Sequence, residues 1–369
     1  MKPKKDRKPS GLFSKCKERG ENPLQASISR RIGAFFGKLS LILLETVLLL
    51  ALALYGIMYL LSYGPSETAR DLFVRSVRET SAIGFLADIY FTEEEIAAIE
   101  ASGEEIYQET DTSLITISQE QTTGADAWGL VDEDGDGIIL EEIKGEGFTG
   151  CMMVVLDPSR VILGTIPESY GRRGYTVEEM VAEFDAVAGI NAGGFVDEGG
   201  SGNGSMPITM VVFEGDVYFP SRGSWNGFVG IDDQHILHVG KMTVDDIAQK
   251  NIQYGVGFGP VLIANGEIAL AEGNVGGLNP RTAIGQRSDG AMLLLVVDGR
   301  QALSIGCTYM DLCDIFLRYG AVNAYNLDGG SSTLMWYEDR YVNNCASVIG
   351  IRPVPTTFLV LKEGAEADG

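Results

Sequence analysis

The sequence predicts an α+β domain of largely antiparallel, hairpin-rich sheets with a few packed helices, preceded by one transmembrane helix and a helical stalk. Three observations carry this. The runs "MVVFEGDVYF" (210 to 219), "VLIANGEIAL" (261 to 270) and "TLMWYEDRYV" (333 to 342) each place turn residues between two β-type segments, which is the signature of a hairpin and so of antiparallel pairing. The 47 glycines, nearly twice an average share, call for many turns. The stretch from Thr46 to Tyr63 holds 18 residues without a charge, long enough to span a bilayer as a helix.

The first 38 residues form a basic leader with 11 Lys or Arg against 3 Asp or Glu. Because the whole chain has 28 and 51, the other 331 residues carry 17 against 48, a net of −31. A body this acidic repels polyanions, which argues against nucleic acid as a partner while permitting a local Arg in a pocket. Residues 39–63 are expected to be the anchor. Ala51-Leu52-Ala53 has the small-x-small form of a cleavage site, but the apolar run continues ten residues beyond it, which favours an uncleaved anchor. Basic residues on one side only place the leader in the cytoplasm and everything after the anchor outside the cell, as a single-pass protein of the cell membrane.

Residues 64–127 read as a stalk and linker. One helix opens near Ser66 with apolar Leu72, Phe73 and Val77, and another is capped by Thr92 with Glu95 three residues on. The globular domain is expected over 128–362, with 363–369 a flexible tail. Inside it "TVEEMVAEFDAVAG" and "TYMDLCDIFLRYG" read as helices. Each opens on a Thr (Thr176, Thr308), has an acid three residues later (Glu179, Asp311) and stops at a Gly (Gly189, Gly320). "INAGGF" follows the first and "VNAYNLDGGSS" the second, and both deliver Asn or Asp from a short strand into Gly-Gly. Either the two helix stops resemble one another by chance, or two polar strand ends converge on one site.

Several groups can be weighed on spacing alone. Asp132, Asp134, Asp136 and Gly137 follow the order of a calcium loop, but residue 143, where a bidentate Glu belongs, is Ile, so an acidic turn is the better reading. His235 and His238 lie in "HILHVG", where strand geometry sends an i, i+3 pair to opposite faces. With two histidines in all, a Ser-His-Asp triad or a His-rich zinc site is not expected, and no metal ligands are assigned. Among the cysteines, Cys16 falls in the leader. Cys151, Cys307, Cys313 and Cys345 fall outside the cell, where Cys313 with Cys345 or Cys307 with Cys313 are conceivable pairs and apolar filler is the rival reading. In "GLNPRTAIGQRSDGAMLLLVVDGR", Pro280 fixes the backbone beside Arg281, and "AMLLLVV" is a buried strand running into Asp298-Gly299-Arg300. A guanidinium held there beside Asn279 suits either a structural ion pair or the binding of phosphate or carboxylate.

Taken in order, "GINAGGF", "GFGPVLIANGE", "NPRTAIGQRSDGAMLLLVVDGR" and "GAVNAYNLDGGSSTLMW" resemble the phosphodiester glycosidase family over roughly residues 148 to 362. The first motif reads Asn-Ala-Gly-Gly-Phe where the family has Asn-Gly-Gly-Phe. The resemblance implies a bacterial, membrane-anchored hydrolase that breaks the bond between an anomeric carbon and a phosphodiester oxygen. A phosphate-containing glycan or cell-wall polymer would be its substrate. It further implies Arg281 as the phosphate ligand, Asp328 as the catalytic carboxylate and Asp298 as a second carboxylate. Asn191, Asn279 and Asn326 would orient the sugar, with Gly193, Gly194, Gly329, Gly330 and Ser331 lining the floor. A Ca²⁺ or Mg²⁺ ion beside the site is left open. The alternative is a non-catalytic module that binds cell-wall or exopolysaccharide glycan on the same fold.

Overall fold

The computed structural model describes residues 23–80, 83–101, 108–117, 124–197, 202–218, 227–347 and 350–364. The leader up to residue 22 with Cys16, linker stretches 102–107 and 118–123, and the tail from 365 lie outside the described residues. The chain divides into two compact units, Met1–Leu60 and Leu61–Gly369. The first holds most of helix α1, Pro23–Tyr63. Its segment Arg31–Tyr63, whose most apolar 18-residue stretch has a mean hydropathy of 2.4, is long and apolar enough to cross a membrane.

The other unit is a mixed fold of antiparallel sheets and short helices. Three helices open it: α2 (Glu67–Arg78), α3 (Phe85–Tyr90) and α4 (Glu93–Glu100). Ser66 caps α2, and Thr92 with Glu95 closes a full capping box on α4, as their spacing predicts. Helix α3 was not legible in the sequence. Val74, Val77, Ala87, Phe91, Ile96 and Ile99 bury a small core among the three, and Ser76 and Glu79 at the end of α2 accept from the Leu278 and Gly277 amides, so the segment expected to be a stalk packs against the domain.

The strands are β1 (Ile138–Gly145), β2 (Phe148–Val155), β3 (Val161–Thr165), β4 (Ala186–Asn191), β5 (Val211–Phe213) and β6 (Asp216–Tyr218). They continue as β7 (Phe228–Asp232), β8 (Leu237–Gly240), β9 (Ile252–Gly257), β10 (Val261–Ala264), β11 (Glu267–Ile268) and β12 (Arg281–Arg287). Last come β13 (Met292–Val297), β14 (Ala321–Asn326), β15 (Met335–Tyr337), β16 (Arg340–Tyr341) and β17 (Thr356–Leu361). A central sheet runs β1-β2-β13-β12-β14-β10-β11, flanked by sheets ordered β16-β15-β4-β17-β3 and β6-β5-β9-β7-β8. The three hairpins read from the sequence are β5-β6, β10-β11 and β15-β16, whose turn residues Glu214, Asn265, Glu338 and Asp339 all take positive φ.

Side-chain alternation explains how the layers stack. Along β2 and β13, Met153, Val155, Leu294 and Val296 join a core shared with the two flanking sheets. Their neighbours Met152, Val154, Leu293 and Leu295 face the other way, under Leu312, Cys313, Ile315 and Phe316 of helix α7 (Tyr309–Arg318). Each fully buried side chain of this kind contributes roughly 1.5–3 kcal/mol. The remaining helices are α5 (Val177–Glu183) and α6 (Val244–Gln249). Helix α7 ends before Gly320 at φ +76, as expected, but α5 ends at Glu183 rather than near Gly189. Asp185 turns to φ +50, and "AVAGIN" becomes strand β4 because a place between β15 and β17 buries it.

Other expectations resolve in place. Oxygens of Asp132, Asp134 and Asp136 lie within 4.8 Å of one another, yet these carboxylates accept from Gly135, Asp136, Gly137 and Ile138 amides, and Ile143 is buried in β1. His238 Nε2 lies 2.7 Å from Asp232 Oδ2 in the interior, while His235 sits in the β7-β8 turn at φ +61 and not in a strand. Cys151, Cys307, Cys313 and Cys345 are free thiols. Burial raises Cys151 to about 11 and Cys313 to about 12, and pushes Cys307 higher still.

Candidate active site

The two Gly-Gly strand ends meet. Strand β14 leaves the central sheet at Asn326 and β4 leaves its flanking sheet at Asn191. The Asp328 amide donates to the Ala192 carbonyl at 2.9 Å, and Asn191 Nδ2 donates to the Asp328 carbonyl at 2.5 Å. Asn191 Oδ1 accepts from Thr282 Oγ1 and from the Leu334 amide. Asn191 is therefore a clamp that joins two sheets under the site. Asn326 likewise spends its Nδ2 on the Gly259 carbonyl.

Beyond this junction lies a cavity of about 610 Å³, a size suited to a small ligand. Its floor is Asp328 to Ser332. A side chain at Gly329 would meet the Pro280 carbonyl at 2.7 Å, and Gly330 adopts φ +63 with its amide on that same carbonyl, so both positions demand glycine. The wall is the turn that leads into β12. There Arg281 is buried, stacked on the Tyr309 ring at 4.2 Å, and its Nη2 donates to the Gly277 carbonyl at 2.6 Å and Glu79 Oε2 at 2.7 Å. Glu79 also accepts from Asn279 Nδ2 at 2.9 Å and from the Gly277 amide at 3.0 Å. An intramolecular carboxylate thus sits on Arg281.

Another cation stands beside the first. Arg300, at φ +57, donates from Nη2 to Asn279 Oδ1 at 2.9 Å and Thr80 Oγ1 at 2.7 Å, and its guanidinium nitrogens lie 3.3 Å from where a side chain on Gly330 would begin. Partial desolvation, and then the Arg281 charge, lower its pKa. A third, Arg352, pairs with Asp197 at 2.7 Å and donates to Ser331 Oγ at 2.6 Å, lying over the Phe195 ring. Its Nε, buried, has no partner among the described residues.

Asp328 faces this cationic surround from a largely desolvated position. Desolvation pushes its pKa up to about 7; the Ser332 hydroxyl and the Arg352 charge pull it down less strongly, and Asp197 adds to the rise. A carboxylate poised near neutrality in a cleft is suited to exchanging protons with a reactant.

Of the residues singled out from sequence, Arg281, Asn279, Asp328, Gly194, Gly329, Gly330 and Ser331 line the cavity. Gly193 sits behind it, its amide on Thr356 Oγ1. Asp298 is not among the lining residues. Its carboxylate accepts from Asn343 Nδ2 and from the amide and Nδ2 of Asn344, which holds the loop after β16. The sequence reading missed Glu79, Arg300, Arg352 and Asp197. Only Arg300 carried a local signal, as the third residue of a strand-ending Asp-Gly-Arg.

Residues 184–361 match the model of the phosphodiester glycosidase family, a span that contains the floor, the wall and all three arginines. These residues are a phosphodiester glycosidase domain. The SPbeta prophage-derived uncharacterized protein YomE of Bacillus subtilis (strain 168) is 29% identical over 206 residues. That match covers 53% of this chain and 30% of the relative, so the chain spans under a third of that protein's length. The catalytic domain of zebrafish N-acetylglucosamine-1-phosphodiester alpha-N-acetylglucosaminidase, auto-inhibited by its pro-peptide, superposes with a TM-score of 0.52 at 18% identity. The superposition covers 72% of this chain and 96% of that domain, and it establishes a shared fold.

Proposed function

We propose that this phosphodiester glycosidase domain hydrolyses the glycosidic bond of a sugar-1-phosphodiester in a cell-surface glycan, held outside the cell by α1 as a single-pass anchor. The observation that carries this reading is the pairing, in one cavity, of a carboxylate raised to about pH 7 with an arginine wall already seating an anion.

The phosphodiester takes the place of the Glu79 carboxylate against Arg281 and Arg300. Arg281 is preorganised by Tyr309 and the Gly277 carbonyl, so it holds negative charge without reorganising as that charge grows on the departing oxygen. Asp328, deprotonated, removes a proton from water attacking the anomeric carbon. The bond from that carbon to the phosphate oxygen breaks with its electron pair on phosphate, and a free sugar and a phosphate monoester leave. Phosphate departs without needing a proton, so one carboxylate suffices, which agrees with Asp298 lying outside the cavity. Asn279 and Ser331, which line the cavity, would meet the sugar. A binding-only module gains nothing from a carboxylate held near neutrality.

Glu79 is an internal occupant of the anion site in this scheme, in keeping with the pro-peptide inhibition named for the zebrafish relative. The test is sugar release by the detergent-solubilised full chain from a panel of glycosyl-1-phosphate methyl diesters. Release from one or more members, abolished by Asp328→Asn, is expected; unchanged release by that variant contradicts the assignment.

A further inference from the structure

Helix α3 is amphipathic in the wrong sense for a surface exposed to water. Leu86, Ala87 and Tyr90 turn inward onto the core shared by α2 and α4. Outward, at i and i+4, stand Phe85 at 58% exposure and Ile89 at 61%, preceded by Ile83 at 39%. Three large apolar side chains exposed within one short segment mark a contact surface rather than scatter.

What covers them follows from where the chain goes. Within the same unit, Tyr63 donates its hydroxyl to the Tyr90 carbonyl at 2.6 Å, and its ring lies 6.3 Å from that of Phe91. Tyr63 is the last residue of the apolar helix and, with Tyr55 and Tyr59, gives that end the aromatic residues that favour a membrane interface. Through Tyr63, helix α3 is tied within its own unit to the residue at which the apolar helix ends. The strongly acidic body has no comparable electrostatic attraction to an anionic leaflet, so an apolar contact is the one that suits it.

The cavity begins at the same place. Ile83 lines it together with Glu79 and Thr80, as do the apolar side chains Ile208 and Phe258. The lining is thus mixed, with charged residues and glycines together with the aliphatic and aromatic groups of Ile83, Ile208 and Phe258. We infer that α3 rests in the bilayer interface and that the cavity takes its substrate from the membrane plane, namely a sugar-1-phosphodiester of a long-chain lipid alcohol. The sugar and phosphate enter the polar floor while the first carbons of the chain lie along Ile83, Ile208 and Phe258. This inference rests on the anchored, sugar-1-phosphodiester reading above and specifies the alcohol.

The experiment reconstitutes the full chain in phosphatidylcholine vesicles. In one arm, the tryptophan added by Ile89→Trp is tested for quenching by acyl-brominated lipid, with the parent chain as background. Quenching is expected, and its absence overturns the inference. In the other arm, N-acetylglucosamine-1-phosphate esterified with dodecanol is compared with its methyl diester. The dodecyl diester is expected to show a kcat/KM at least about tenfold higher, and Phe85→Ser combined with Ile89→Ser is expected to cut that preference at least about fivefold while leaving methyl-diester turnover unchanged. Turnover of the methyl diester without a chain-length preference, or with a preference indifferent to the two substitutions, overturns this inference and leaves the hydrolytic reading standing. Turnover of neither diester overturns both. Self-association lost with the two substitutions, without quenching, assigns the face to another copy of the chain and overturns the inference.

Discussion

Replacing Glu79 by Gln keeps the shape of the side chain and removes the charge that now sits on Arg281. In the folded chain Glu79 Oε2 accepts from Arg281 Nη2 at 2.7 Å and Asn279 Nδ2 at 2.9 Å, while Oε1 takes the Gly277 amide. Glutamine can match only part of this set, because one of its terminal atoms becomes a donor facing donors. The Arg281 side chain is 6% exposed and that of Glu79 28%, so the pair is intermediate between a surface bridge and a buried one. A charge-assisted hydrogen bond here is worth about 2 kcal/mol. Two consequences follow with opposite signs. Without ligand, Glu79→Gln loses about 2 kcal/mol of stability and melts a few degrees lower. With the internal anion gone, an external one no longer competes, and the affinity for methyl phosphate rises by up to about 30-fold. Calorimetric titration of methyl phosphate into the solubilised full chain reads the gain in affinity, and thermal denaturation with and without saturating ligand reads the loss of stability. A Glu79→Gln chain that binds methyl phosphate more weakly than the parent would refute the competition between the two anions and make Glu79 a positioning residue for Arg281.

Other consequences can be checked beside it. Because a raised carboxyl pKa means the native state holds a proton that the unfolded state releases, Asp328 should cost stability progressively as pH rises from about 4 to about 7; Asp328→Asn removes that cost, so it should be inactive yet about 2–4 kcal/mol more stable at pH 8 by denaturant unfolding. The kcat/KM of the parent chain should rise with unit slope up to about pH 7 and level off above it, as a base that must be deprotonated requires. Arg300→Ala should raise KM about tenfold or more for a methyl diester while leaving the melting temperature nearly unchanged, since among the described residues its guanidinium donates to Asn279 and Thr80 alone. Gly330→Ala should lose about 1–2 kcal/mol through its left-handed backbone and weaken diester binding by displacing Arg300.

The hairpins and the caps were legible in the sequence because their causes are local. Thr308 and Asp311 form the predicted capping box, and the Asn265-Gly266 turn needs only its own residues to take positive φ. The convergence of "INAGGF" with "NLDGGSS" was half legible, since the repeated pattern was visible but only the Asn191 bond to the Asp328 carbonyl shows that the two ends meet. Asp298 and Asp328 are indistinguishable in the sequence as acids at strand ends. Their difference lies in partners remote along the chain: Asn343 and Asn344 occupy the Asp298 carboxylate, while Asp328 borders the cavity. Glu79 was illegible for the same reason, because 202 positions separate it from Arg281. No pattern of residues near 79 announces an anion site it does not itself contain.

In the reaction proposed for this site, the bond that breaks lies on the sugar side of the bridging oxygen. Hydrolysis of a glycosyl-1-phosphate methyl diester in ¹⁸O-labelled water, followed by mass spectrometry of the released methyl phosphate, reports which side is cut. Attack at the anomeric carbon sends the solvent oxygen to the sugar, so methyl phosphate should emerge unlabelled; methyl phosphate carrying one ¹⁸O would place the attack on phosphorus and contradict the glycosidase assignment.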